Sequence, residues 1–106
     1  MPNYLIEASY TTEGVRGVAD KGGTARREAV EQLIIASGGK MESFYFAFGD
    51  ADVYVIAELP SDEAAAALAL SINRSGSTKI RTIVLLTPEQ VDAAANIAPE
   101  YRPPGT

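Results

Sequence analysis

Two β-rich stretches, residues 41–48 and 53–59, are separated only by Gly49-Asp50-Ala51-Asp52. A linker that short, made of the residues that tight turns select, forces the two strands to run antiparallel as a hairpin. The rest of the chain must be arranged around that hairpin. On its N-terminal side, residues 3–10 alternate Tyr4, Ile6, Ala8 and Tyr10 against Leu5, Glu7 and Ser9. On its C-terminal side, residues 79–86 are rich in β-branched side chains, so both flanks predict a further strand.

Helical spacing fills the two long gaps. Between about residues 24 and 37, Val30, Leu33, Ile34 and Ser37 recur at helical intervals, Arg26, Arg27, Glu28 and Glu31 face outward, and Gly38-Gly39 ends the segment. From Ser61 to about Asn73, Pro60 precedes a helix that Ser61 caps. Asp62 and Glu63 suit its positive end, and Ala64 to Ala67 let it lie close to a sheet, with Leu68, Leu70 and Ile72 following. Thr87-Pro88-Glu89-Gln90 opens a third helix through Ala95, with a capping box and a proline in the first turn. Residues 11–23 carry Gly14, Gly17, Gly22 and Gly23 and are expected to form one or two loose turns followed by an open loop. The resulting order, with right-handed crossovers, predicts an α+β, ferredoxin-like βαββαβ fold. It has a four-stranded antiparallel sheet with two helices on one face, plus a short C-terminal helix. Residues 1–98 are read as a single domain and residues 99–106 as an extended, Pro-rich tail.

Composition narrows the chemistry. The 106 residues are 46% hydrophobic, enough for a core without staples, and they include no histidine and no cysteine. Disulfides, cysteine- or histidine-ligated metal, iron–sulfur clusters and histidine-based triads are thereby excluded, and no metal or other cofactor is expected. A net charge of -5 argues against a nucleic-acid partner. The opening residues lack the basic start and apolar stretch of an export signal. No apolar run approaches a membrane span, so a cytoplasmic protein with no membrane partner is expected. The sequon Asn73-Arg74-Ser75 is read as chance.

Alternation also sorts the strands by face. Ile6, Ala8, Val53, Val55, Ala57, Ile80, Thr82, Val84 and Leu86 should meet the helices, leaving Leu5, Glu7, Ser9, Tyr54, Ile56, Glu58, Arg81, Ile83 and Leu85 on the other face. For the second strand, either Phe44, Phe46 and Phe48 or Met41 and Tyr45 join this open face, because a one-residue slip inverts the choice. So much aliphatic and aromatic surface predicts a homo-oligomer, a dimer first, with sheets packed face to face.

Gly38-Gly39-Lys40, Ser43-Phe44-Tyr45, Gly49-x-x-Asp52 and Glu58-x-Pro60-Ser61-Asp62-Glu63-Ala64-Ala65 together resemble the GYD domain family. Pro2-x-Tyr4, Thr11-x-x-Gly14 and Arg81-Thr82 extend the likeness from Pro2 to about Ala94. The family takes its name from a Gly-x-Tyr-Asp turn, where this chain has Ala51 in place of the tyrosine. The resemblance implies a ferredoxin-like domain related in shape to the dimeric α/β barrels, and it implies no activity.

Ligand-binding candidates are the polar groups that interrupt the open face. Glu7, Tyr54, Glu58 and Arg81 are expected to line a pocket there, with Tyr10 and Asp52 at its rim. Asp50 and Asp52 otherwise read as turn residues, Arg26-Arg27 as a solvated helix face, and Gly38-Gly39-Lys40 as a helix end without the glycine of a phosphate loop. Two functions fit. One is a small-molecule-binding oligomer with its site at the sheet-face interface. The other is an enzyme without metal or cofactor, an oxygenase, isomerase or decarboxylase of a small carbonyl or aromatic compound, in which Glu7 or Glu58 is the base, Tyr54 the proton donor and Arg81 the anion holder.

Overall fold

The computed structural model describes residues 1–105. Its elements in order are β1 (Asn3–Tyr10), α1 (Thr12–Lys21), α2 (Gly23–Ala36), β2 (Lys40–Phe46), β3 (Val53–Glu58), α3 (Asp62–Asn73), β4 (Thr78–Leu85) and α4 (Pro88–Ile97). The four strands form one sheet in the order β2-β3-β1-β4, with every neighbouring pair antiparallel. This is the expected ferredoxin-like arrangement: two sequence-adjacent strands on one side, and a central β1 paired with both β3 and β4.

The helices cover one face only. α2 packs over β2 and α3 over β4, and α1 lies beside α2 against the end of β1. Between these layers sit Tyr4, Ile6, Ile34, Met41, Val53, Val55, Ala57, Leu59, Ala65, Leu68 and Ile80, all buried. Removing each large aliphatic side chain of this set from water contributes about 1.5–3 kcal/mol. α3 presents Ala65 and Leu68 to the sheet with Ala69 and Ile72 beside them, one helical stripe, and turns Leu70 out to solvent. Ser61 caps its first turn by accepting from the Ala64 N–H at 3.1 Å.

Two expectations change. Residues 11–23, expected as loose turns and an open loop, form the ten-residue helix α1, capped by Thr11. A second helix follows at once, and Gly22, at φ 89, supplies the left-handed residue that separates the two axes. The glycines argue against a helix on propensity. Gly14 is nevertheless indispensable here, since a Cβ at that position would run into the Ser77 carbonyl. That carbonyl accepts from the Thr11 N–H at 3.1 Å and so ties the start of α1 to the start of β4. Tertiary contact therefore overrides the local cost.

The second change concerns β2. A register shift between Met41 and Ser43 marks a β-bulge, so Met41 pairs with Ala57 while Phe44 and Phe46 pair with Val55 and Val53. Met41, Phe44 and Phe46 thus all take the helix side, and Ser43 and Tyr45, opposite Ile56 and Tyr54, take the open side. Neither of the two expected parities holds along the whole strand, because the extra residue, Glu42, resets the alternation. β2 also stops at Phe46, and Phe48 lies fully exposed in the turn. Beyond β4, α4 carries the expected capping box, and the residues after it have no regular structure apart from a turn at Pro104–Gly105; Thr106 lies outside the described residues. No helix among them is long and apolar enough to cross a membrane.

Candidate functional site

Register builds the site. Glu7 faces Tyr54 on β3 and Arg81 on β4, and Tyr54 faces Tyr45 on β2. Tyr45, Tyr54, Glu7 and Arg81 therefore form one row across all four strands of the face that no helix covers. The next row on that face is Ser43, Ile56, Leu5 and Ile83, about 6.8 Å away by strand geometry. A polar row lies beside an apolar one, and both are open.

The electrostatics of the polar row are loose. Arg81 Nε lies 3.8 Å from Glu7 Oε2; the arginine side chain is 82% exposed and the glutamate 21%. An exposed pair at that distance contributes little to stability. Arg81 is thus free to turn its guanidinium toward an incoming anion, whereas Glu7 is held between its neighbours. A cleft of about 590 Å³ opens over this row toward the β2–β3 turn, and Glu7, Ser9, Asp50, Tyr54, Lys79 and Arg81 supply its polar walls. Ala51 lies on the same wall and is buried.

Of the six residues singled out in the sequence, the fold brings Glu7, Tyr54 and Arg81 together. Glu58 stands four residues along β3 from Tyr54, about 13 Å away, beside Asn3 and Lys40. Tyr10 and Asp52 meet each other on the helix side of the sheet. The Tyr10 N–H donates to Asp52 Oδ2 at 2.8 Å, and the Asp52 N–H donates to the Ala8 carbonyl at 2.8 Å. Asp52 so extends the β1–β3 ladder by one rung. The same two residues border an apolar cleft of about 530 Å³ between α1 and the end of β2, walled by Val15, Val18, Phe46 and Phe48. Arg26 lies 5.6 Å over the Tyr10 ring and donates to its hydroxyl at 3.3 Å, so it is a packing residue as well as a surface charge.

Tyr45, Lys79, Ser9 and Asp50 belong to the cleft or its row without having been among the ligand-binding candidates; Ser9 had been placed on the open face and Asp50 read as a turn residue. Lys79 alternates with Arg81 and was legible from that spacing. Tyr45 was not, because its side depends on the bulge. Among the described residues no three carboxylates gather in an arrangement able to hold a metal ion.

A family model of the GYD domain matches residues 4–95. The chain belongs to the GYD domain family. The match runs from β1 into α4 and so spans the whole sheet, every strand of the polar row included. No curated protein matches the chain. Within this GYD domain the turn that carries the family motif is the one that closes the cleft. Where the motif has tyrosine, Ala51 leaves the cleft wall without a large side chain.

Proposed function

We propose that this GYD domain is a small-molecule-binding homodimer, held together by the open faces of two sheets, with an anionic ligand in the cleft over the polar row. The observation that carries the reading is the pairing of rows on one uncovered face. Ser43, Ile56, Leu5 and Ile83 offer apolar area for association, and beside them Tyr45, Tyr54, Glu7 and Arg81 offer hydrogen bonds and charge. Arg81 and Lys79 attract an anion, the Tyr54 hydroxyl donates to it, and Glu7 accepts from a hydroxyl or amine on the same molecule. A second sheet above the cleft excludes water and strengthens each of these contacts.

Arg81→Ala tests the site. In the protein as it stands, a panel of small carboxylates and phosphates should raise the melting temperature. The variant should lose that shift, with affinity lower by about tenfold, while its sedimentation stays that of the wild type. A variant that dissociates without ligand would make Arg81 an interface lock rather than a binding residue. A wild-type chain that sediments as a monomer at micromolar concentration would overturn the dimer.

A further inference from the structure

α4 is the best-capped helix of the chain and the least packed. Thr87 Oγ1 accepts from the Gln90 N–H at 3.1 Å, and Gln90 Oε1 accepts from the Thr87 N–H at 2.8 Å. Yet none of its residues is buried, and every residue from Pro88 to Gly105 is exposed. Val91, Ala94 and Ile97 recur at three-residue spacing along one side, and Ile97 is 83% exposed. The radius of gyration is 16.9 Å and the long axis 57 Å, whereas a compact chain of this length has a radius of gyration of about 13 Å. α4, with no buried residue and only sparse contact with the other elements, fits that extended shape. A helix of ten residues is marginal in water on its own, since isolated helices need about 12–15 residues to hold. Such a helix requires a surface.

Reach and continuity make that surface a second copy of the chain. At about 1.5 Å per residue α4 spans ~15 Å, and the extended residues after it add up to ~25 Å. Four strands at about 4.8 Å spacing span only ~14 Å, so the arm is long enough to cross a whole partner sheet. The arm also begins where an edge strand ends: β4 lies at the sheet's edge, and Ile83 and Leu85 on its open side come just before it. Two-fold symmetry would bury both arms by one kind of contact.

We propose that the C-terminal arm, α4 with residues 98–105, clasps the second copy, laying the Val91, Ala94 and Ile97 side of the helix on the partner. The proposal rests on the self-association put forward above, and the experiment separates the two. Sedimentation of the full chain is compared with that of the full-length double variant Val91→Asp, Ile97→Asp, whose changes lie outside the core. Separately, Asp92→Cys, the single thiol in a chain without cysteine, carries a nitroxide and is mixed with isotope-labelled wild type. The expected results are self-association weaker by about tenfold or more in the double variant and nitroxide broadening of resonances in the other copy. A wild-type dimer that the double variant leaves intact, or a dimer in which the isotope-labelled copy's resonances are not broadened, overturns the clasp alone. A wild-type monomer overturns the face-to-face dimer and the clasp together.

Discussion

Tyr4 shows how one buried hydroxyl ties two layers together. Its ring is in the core at 1% exposure, and its hydroxyl donates to Asp62 Oδ1 at 2.6 Å, joining β1 to the first turn of α3. The hydrogen bond to the Asp62 carboxylate, then burial, then the charges of Asp62 and Glu63 push its pKa from 10.0 up to about 12. A group whose folded pKa is raised stabilises the fold fully below the unfolded value, and that contribution disappears as pH climbs through the folded one. The window is therefore pH 10 to about 12. Urea denaturation across that range should show the wild type losing stability more steeply than Tyr4→Phe. Parallel curves would mean that the hydroxyl titrates freely. Asp52 is the contrasting residue. Its carboxylate accepts from the Tyr10 backbone on the helix side, so the aspartate of the family motif acts here as a ladder rung. The sequence reading of Asp52 as a turn residue was the more telling one, because chain proximity to the hairpin was visible and the partner strand was not.

At the scale of elements, α1 is decided by its glycines individually. Gly14 is packed where a Cβ would meet Ser77, whereas nothing lies within 4 Å of a Cβ at Gly17. Gly14→Ala should destabilise the protein by about 1–3 kcal/mol through overpacking, and Gly17→Ala should stabilise it by about 0.5–1 kcal/mol through helix propensity. Chemical denaturation of the two variants reads both signs at once. Equal effects would mean that α1 does not lie against β4's start. Composition alone treats the two glycines alike, which is why the helix was not legible. The bulge in β2 escaped for a similar reason. Alternation predicts faces only while every residue has a partner, and the unpaired Glu42 is defined by β3, not by its neighbours in the chain. The caps of α3 and α4, in contrast, were legible to the residue, since donor and acceptor lie three positions apart.

For the whole molecule, one face of the sheet is covered by helices and the other carries half-buried Leu5, Ile56 and Leu85 beside exposed Ile83. Ile56 sits mid-row on that face, away from the core. Ile56→Asp should leave the melting curve of the dilute protein almost unchanged. At higher concentration it should abolish self-association, because an aspartate pair would be buried without counter-charges at the two-fold contact. Sedimentation across a concentration series measures this. A variant that still associates like the wild type would move the interface off the sheet face.

The order of the strands and of α2, α3 and α4, the caps of α3 and α4 and the apolar residues that alternation leaves on the open face follow from the chain alone. Each depends on residues close in sequence, through alternation, helical spacing or a capping contact. Tertiary structure alone decided which side Tyr45 takes, that α1 is a full helix, and that Tyr10 and Asp52 meet across the sheet from Glu7, Tyr54 and Arg81. Each of these turns on an atom far along the chain: Ala57 and Val55 opposite the bulge, the Ser77 carbonyl over Gly14, the Tyr10 backbone against Asp52. Local periodicity carries no information about which distant backbone group will be there, and packing chooses it.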